Sequence, residues 1–378
     1  MERIQPRIRP TLRLFRLGDQ LYLNSSGIAS EMADPAGSIE YLFEAMDGQR
    51  TIEEVSAVVR QRYPTITGAE IRQAIAHLDQ AGFLENAAFT QQDAHLTDYD
   101  ITRWGRNINF FGSFSNLQTS KYELQHRLKT TRVALLGLGG LGSLLLYDLV
   151  ALGVQSIRAV EFDRIELSNL NRQILYSESD VGRPKAEAAA ERILAFNPHL
   201  DLQILPTKLS SMEDVSAAIA GCDCVLCVAD RPKMELMSWV NEACVRLNIP
   251  LINGGLDVQR AIYYTMIPGV TGCVACWRRQ VAQRDPLSSG LLDERQRLQV
   301  GGENAAFVPL VTLVGGLMIS EFVRLITQIA PLAAAGRLME IRFASTDIRQ
   351  AEQWEKLDDC QICRDMPAAV HIGASPGA

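Results

Sequence analysis

Positive charge is in short supply: 37 Lys and Arg stand against 44 Asp and Glu, and the formal net charge is −7. Non-specific nucleic-acid binding needs clustered cations to neutralise phosphates, so this balance argues against a DNA or RNA partner. Long uninterrupted hydrophobic runs are missing too. Val133 to Val154 is broken by glycines and Asp148, and Val308 to Ile319 is stopped by Glu321, so both are expected inside a folded core and not across a membrane. Met1 to Pro10 alternates Arg with apolar residues and has no apolar h-region, which argues against a secretory signal and points to the cytosol. With 47% hydrophobic and 21% charged residues, the composition carries no sign of wholesale disorder. In a cytosolic chain eight cysteines are not expected to form a disulfide framework, so paired CxxC spacings point to metal.

What is present divides in two. A chain of 378 residues suits two domains. Leu12, Leu14 and Leu17 precede a Gly18-Asp19 turn, and Leu21-Tyr22-Leu23 follows it, the pattern of a β-hairpin. Thr51 with Glu54 and Thr67 with Glu70 fit capping boxes that open amphipathic helices. The second leads into Ile71, Ile75 and Leu78 at helical spacing, then Gly82 as a stop and a short Phe83-Leu84 strand. Residues 1–86 therefore read as a small α+β winged-helix module, 87–102 as a polar linker, and 103–378 as the main domain. The module resembles the PqqD-like recognition element of peptide-modifying enzymes. That resemblance implies capture of a leader peptide as an added strand on an open sheet edge. A DNA-binding winged helix or a dimerisation arm shares the pattern; the acidic balance and the enzyme core that follows favour the peptide.

Arg132 to Leu136 is a short apolar strand, and Gly137-Leu-Gly139-Gly140-Leu-Gly142 then opens a long apolar helix ending at Gly153. Glycines at this place allow a tight turn and let phosphate approach backbone N–H groups at a helix N-terminus. Dinucleotide dehydrogenases carry the same fingerprint, so the turn alone does not decide the chemistry. A second strand, Ile157 to Phe162, runs into Glu161-Phe-Asp163 and on to Glu166-Leu-Ser168-Asn169-Leu-Asn171-Arg172-Gln173; Gly182-Arg183-Pro184-Lys185 and Asn197-Pro198 follow. The series in this order resembles the ThiF/MoeB adenylating family, relatives of the ubiquitin-activating enzymes, over nearly all of the chain after residue 103.

The resemblance implies an α/β fold: a Rossmann-like ATP-binding domain with a mixed sheet and a four-cysteine zinc site. Its expected nucleotide set is Gly137, Gly139, Gly140, Gly142, Glu161, Asp163, Ser168, Asn169, Arg172, Lys185 and Asp230. Gly140 is expected against the nucleotide, Glu161 on the ribose hydroxyls, and Asn169, Arg172 and Lys185 on the phosphates. The family's usual ribose residue is Asp, so Glu161 is one methylene longer. Attack of a carboxylate on the α-phosphate builds charge on phosphoryl oxygens, which suits fixed cations and Mg²⁺. Asp230, just beyond the buried Cys222–Ala229 strand, matches the family's Mg²⁺ ligand; it could also cap a helix starting near Pro232. Arg103-Trp-Gly-Arg106 matches an Arg-aromatic-x-Arg segment whose second Arg reaches the ATP of a neighbouring subunit, implying a homodimer in which Arg106 acts in trans.

Cys273-x-x-Cys276 and Cys360-x-x-Cys363 are two separated knuckles able to hold one structural Zn²⁺. Cys222, Cys224, Cys227 and Cys244 read as core residues. Trp277 to Asp359 contains no cysteine, which argues against ubiquitin-style thioester transfer. The polar Arg284 to Ala306 segment reads as a loop over the substrate. Within the family, the fusion most resembles enzymes that tailor ribosomally made peptides. It implies activation of a Glu carboxylate in a leader-bound precursor. Open alternatives are adenylation of a peptide C-terminus, adenylation of a Gly-Gly sulfur carrier, and a non-catalytic docking role beside a cyclodehydratase.

Overall fold

The computed structural model describes residues 4–25, 28–232, 235–287, 290–291, 294 and 306–366. Most of the Arg284 to Ala306 segment, read above as a substrate-covering loop, lies outside the described residues. The chain divides into two units, Met1–Arg127 and Leu128–Ala378.

In the first unit, strands β1 (Pro6–Ile8), β2 (Arg13–Leu17) and β3 (Gln20–Ser25) precede β4 (Ile28–Ala33), helices α1 (Ser38–Ala45), α2 (Ile52–Arg62) and α3 (Gly68–Gln80), and strand β5 (Leu84–Asn86). The expected hairpin is β2–β3, turning at Gly18 with φ +59. It gains a third antiparallel strand, β4, that its weakly alternating Ile-Ala-Ser-Glu-Met-Ala sequence did not announce; pairing with β3 supplies what intrinsic propensity lacks. Both capping boxes form. The Thr51 and Thr67 hydroxyls accept the N–H groups of Glu54 and Glu70 at 3.3 and 3.2 Å, and each carboxylate returns to its cap N–H at 2.7 Å. Each box is worth about 1 kcal/mol to its helix. Leu21 and Leu23 from the sheet meet Val55, Val59, Ile71 and Ile75 from the helices in one buried core.

The 87–102 stretch lies inside this unit and not between the units. The Arg9 guanidinium donates to the carbonyl oxygens of Ser113, at 2.7 Å, and of Ser115, and Asp79 accepts the Leu117 N–H at 2.9 Å. These bonds tie the chain beyond 111 back onto the residue that follows β1 and onto α3. A third capping box, Thr97 with Asp100, starts α4 (Asp98–Phe111), which kinks at Trp104 and carries an exposed Arg106. Helix α5 (Lys121–Thr130) follows.

The second unit is built on an eight-stranded sheet. Its strands are β6 (Arg132–Leu136), β7 (Ser156–Val160), β8 (Asp201–Leu205), β9 (Cys224–Cys227), β10 (Leu251–Asp257), β11 (Arg260–Met266), β12 (Arg337–Arg342) and β13 (Ile348–Gln353), in the order β13-β12-β11-β10-β9-β6-β7-β8. Strands β8, β7, β6, β9 and β10 are parallel; β11, β12 and β13 extend the sheet antiparallel, so the sheet is mixed as expected. The helices are α6 (Gly140–Leu152), α7 (Lys185–Phe196), α8 (Met212–Ile219), α9 (Leu236–Leu247), α10 (Val274–Arg284) and α11 (Val308–Thr327). From β6 the chain passes outward through β7 to β8, then returns to β9 on the other side. The junction of β6 and β9 is thus a topological switch point, where open α/β sheets form their ligand crevice.

Helix α11 runs through Glu321 instead of ending there. It is long and apolar enough to cross a membrane, yet 56% of its 18-residue apolar window is buried in the structure. The Glu321 carboxylate, fully buried, accepts the Ala333 and Ala334 N–H groups at 3.0 and 2.8 Å and the Thr265 hydroxyl at 3.3 Å. A carboxylate satisfied in this way can sit inside a core.

The start of α6 lies hard against the turn that feeds it. A Cβ on Gly142 would lie 1.8 Å from the Gly137 carbonyl oxygen, and Gly137 itself has φ +95 with the Ala229 backbone 3.0 Å from its own Cβ position. Gly142→Ala is therefore expected to cost about 3 kcal/mol or more, read as a lower urea midpoint; an unchanged midpoint would show that the turn can relax.

Candidate active site

A cleft of about 550 Å³ opens at the carboxyl ends of the parallel strands, within the size range of small-molecule sites. Gly137, Gly139 and Gly140 form its floor. Glu161 and Asp163 line it from the end of β7, Ser168, Asn169 and Arg172 from the crossover segment, Lys185 from the start of α7, and Asp230 from the end of β9. One residue of the expected nucleotide set, Gly142, is off the cleft wall, where its lack of a side chain serves helix packing; Arg106, expected to act in trans, belongs to the first unit.

Glu161 is buried and heavily engaged. One carboxylate oxygen accepts the Phe162 and Asp163 N–H groups, both at 2.8 Å, and the other accepts the Leu138 N–H at 2.9 Å. The Lys185 ammonium, buried at the first turn of α7, sits 3.3 Å from Asp163 Oδ2. The Arg172 guanidinium donates to the Ser168 carbonyl at 3.2 Å and to Asn171 Oδ1 at 2.8 Å, and its stem lies over Gly140, 3.3 Å from where a Cβ would stand. Asn169 accepts the Glu166 N–H at 3.2 Å and is buried, so its place at the cleft is held by the backbone. Asp230 is exposed and has no hydrogen-bond or ion-pair partner among the described residues. It does not cap a helix: α9 starts at Leu236, with Glu235 at the cap position. An open carboxylate at a strand end, facing a cleft with fixed cations, fits a hard divalent cation.

Sequence reasoning gave no role to several further residues. Gln173 is buried on the cleft wall, and its side-chain carbonyl has no hydrogen-bond partner among the described residues. The Tyr176 hydroxyl donates to the Leu138 carbonyl at 3.0 Å from beneath the Gly-rich turn. Asn253, Gly254, Gly255 and Leu256 of β10 form the far wall. The Asn-Gly-Gly string in the middle of this strand was the available signal: a Cβ on Gly254 would lie 2.2 Å from Met318 Sδ and would make that side chain shift, whereas nothing stands within 4 Å of the Gly255 position.

The four knuckle cysteines are brought together and buried, with all their sulfurs within 4.8 Å of one another and individual separations of 3.9, 3.7 and 3.4 Å. Tetrahedral bonds of about 2.3 Å put thiolate sulfurs about 3.8 Å apart. The donor set and spacing therefore suit one tetrahedral metal ion. Cys276 is drawn toward the thiolate, first by its hydrogen bond with Cys273 and then by the Leu357 N–H, even though burial opposes the charge.

Residues 111–362 match the model of the ThiF family. The chain belongs to that family and is an adenylyltransferase of its kind. Among its relatives, the sulfur carrier protein adenylyltransferase of Thermus thermophilus is 33% identical over 253 residues, spanning 65% of this chain and 86% of that protein. Among solved structures, Escherichia coli MccB superposes with a TM-score of 0.74 at 20% identity, covering 98% of this chain and 99% of MccB. PaaA does so with a TM-score of 0.67 at 20% identity, covering 92% of this chain and 99% of PaaA. MccB has also been solved with ATP and with MccA. At these identities the two structures establish a shared fold.

A buried polar atom without a partner costs about 1–3 kcal/mol, and an apolar side chain of similar shape avoids that cost. Gln173→Met is expected to leave the ligand-free protein as stable as wild type or more so by differential scanning calorimetry. A clear loss of stability would mean that the amide is satisfied within the fold.

Proposed function

We propose that this enzyme uses ATP and Mg²⁺ to activate a carboxylate of a ribosomally made precursor peptide, in antibiotic biosynthesis of the pantocin type. The observation that carries the reading is the cleft at the switch point, which gathers Arg172, Lys185 and an open Asp230 around a glycine turn. A carboxylate oxygen of the substrate attacks the α-phosphorus, the bond to the bridging oxygen breaks, and pyrophosphate leaves the acyl adenylate behind. Arg172 and Lys185 meet the charge that grows on the phosphoryl oxygens. Asp230 would hold Mg²⁺, which supplies further neutralisation of the phosphates. In a pantocin-type reaction the activated group is a Glu side chain; a nearby backbone nitrogen or carbon attacks it, AMP leaves with one carboxylate oxygen, and the attacking atom gives up a proton, so that the peptide is lighter by one water.

One observation favours a peptide over a Gly-Gly sulfur carrier: the first unit presents β2 and β4 as sheet edges, with Phe15 and Leu17 exposed on β2. We read this unit as a PqqD-like leader-binding element, able to take a peptide as a further strand and so raise the local concentration of the tethered core. Activation of a peptide C-terminus, as in microcin C formation, is the second reading, favoured by the high TM-score to MccB. In either case the exposed Arg106 is taken to act on the nucleotide of a second copy, making the working form a homodimer. The fixed cations argue against a purely docking role.

Mass spectrometry of a candidate precursor after incubation with enzyme and Mg-ATP is the direct test. Loss of water supports the pantocin-type reading, gain of a nucleotidyl group the C-terminal one, and no change sinks both. Asp230→Ala and Arg172→Ala should each slow turnover by about 10²-fold or more in a folded protein, as losses of transition-state stabilisation. Wild-type ATP consumption by either variant would remove that residue from the mechanism.

The Cys273, Cys276, Cys360 and Cys363 cluster is read as a structural Zn²⁺ site, closed to solvent. One zinc per chain is expected by elemental analysis. Cys360→Ser should lose it together with a large part of the thermal stability, because metal binding is linked to folding of the segments it joins. A metal-free wild type of full stability would refute the site.

A further inference from the structure

Leu138, in the middle of the Gly-rich turn, has both of its backbone polar groups held. Its N–H goes to Glu161 at 2.9 Å and its carbonyl receives the Tyr176 hydroxyl at 3.0 Å. Leu138, Glu161 and Tyr176 are 0%, 6% and 5% exposed, so both bonds are shielded from water. Burial, and secondarily the nearby Glu161 charge, pushes the Tyr176 phenol well up, which keeps it a proton donor.

Acceptor capacity sets a limit on Glu161. A carboxylate offers about four lone-pair sites. The Phe162 and Asp163 N–H groups take both sites on Oε1, and the Leu138 N–H takes one on Oε2. One site remains. A residue that held both the 2′- and 3′-hydroxyls of a ribose would have to give up one of these backbone donors. An Asp at this position, shorter by about 1.5 Å, could not span from the end of β7 to the Leu138 N–H without backbone movement.

We infer that Glu161 and Tyr176 form a two-sided clamp that presets the Gly-rich turn for phosphate, and that Glu161 holds at most one ribose hydroxyl. This rests on the nucleotide-binding reading of the cleft. Glu161 is thus mainly a positioning residue, and the extra methylene relative to Asp is what lets it reach the turn. Tyr176 is a positioning residue throughout, since its hydroxyl is spent on the backbone.

Calorimetric titration of the full chain with ATP, 2′-deoxy-ATP and 3′-deoxy-ATP tests this, using wild type, Glu161→Gln and Tyr176→Phe. A hydrogen bond from a hydroxyl to a carboxylate is worth about tenfold in affinity. In wild type at most one deoxy analogue should show a loss of that size that disappears in Glu161→Gln, as a double-mutant cycle reads it. Tyr176→Phe should weaken all three nucleotides by the same factor, about threefold to tenfold. Coupling of both hydroxyls to Glu161, or wild-type ATP affinity in Tyr176→Phe, overturns the clamp. If Glu161→Gln fails to fold, Glu161→Asp replaces it: weaker ATP binding by about tenfold is expected, and wild-type affinity with both hydroxyls engaged overturns the proposal. Absence of any ATP binding by wild type would overturn the nucleotide reading as well, which separates the two failures.

Discussion

The backbone contact between the start of α6 and the carbonyl of Gly137 governs the rest of the site. With no Cβ at Gly142, the helix can be driven down onto the turn until its N-terminus stands over the carboxyl end of β6. The orphan N–H groups and positive dipole end of α6 are thereby aimed into the cleft. The left-handed Gly137 and the packing of Ala229 beside it complete the fit, so that the turn, the start of α6 and the end of β9 are mutually determined.

Net charge does not make this cleft a site for a polyanion. Arg164, Arg172, Lys185 and Arg231 on its wall are matched by Glu161, Asp163, Glu166 and Asp230. What differs is how the two signs are used. Glu161 is consumed by three backbone donors, and Asp163 neighbours Lys185, while the Arg172 stem lies directly over Gly140. Backbone N–H groups and a few placed cations therefore face the ligand, and Asp230 is left open. Under the proposed chemistry such a balance suits a phosphate chain that arrives with its metal ion.

The antiparallel half of the sheet has a different task. Strands β11 to β13 carry the chain away from the cleft, and the cysteine cluster joins the start of α10 to the segment after β13. Trp277 and Trp354 stack beside it at 5.3 Å, and the Trp354 N–H reaches the Gly272 carbonyl at 2.9 Å. Four sulfurs and an indole are thus part of the main core of the second unit, with Trp277 packed against it.

Local rules were legible wherever a residue's role is settled by its near neighbours in the chain. The capping boxes, the Gly18 turn, the β6-turn-α6 string, the Gly153 cap and the CxxC pairs all belong here, since each is closed by bonds spanning a few residues or by one chemical preference. The Asn169, Arg172 and Lys185 series was legible for another reason: the order of residue types resembles a family whose chemistry explains it. Tertiary structure alone decided the rest. That the 87–102 stretch joins the first unit depends on Arg9 and Asp79 meeting residues far along the chain. That Glu321 can lie inside α11 depends on a loop that follows it. That Glu161 holds the Leu138 N–H, and Tyr176 the carbonyl of the same residue, depends on a sheet register and a crossover that bring distant segments within hydrogen-bond distance of one another. A sequence states which groups can accept or donate; which of them are already occupied is set by packing, and that occupancy decides what is left for a ligand.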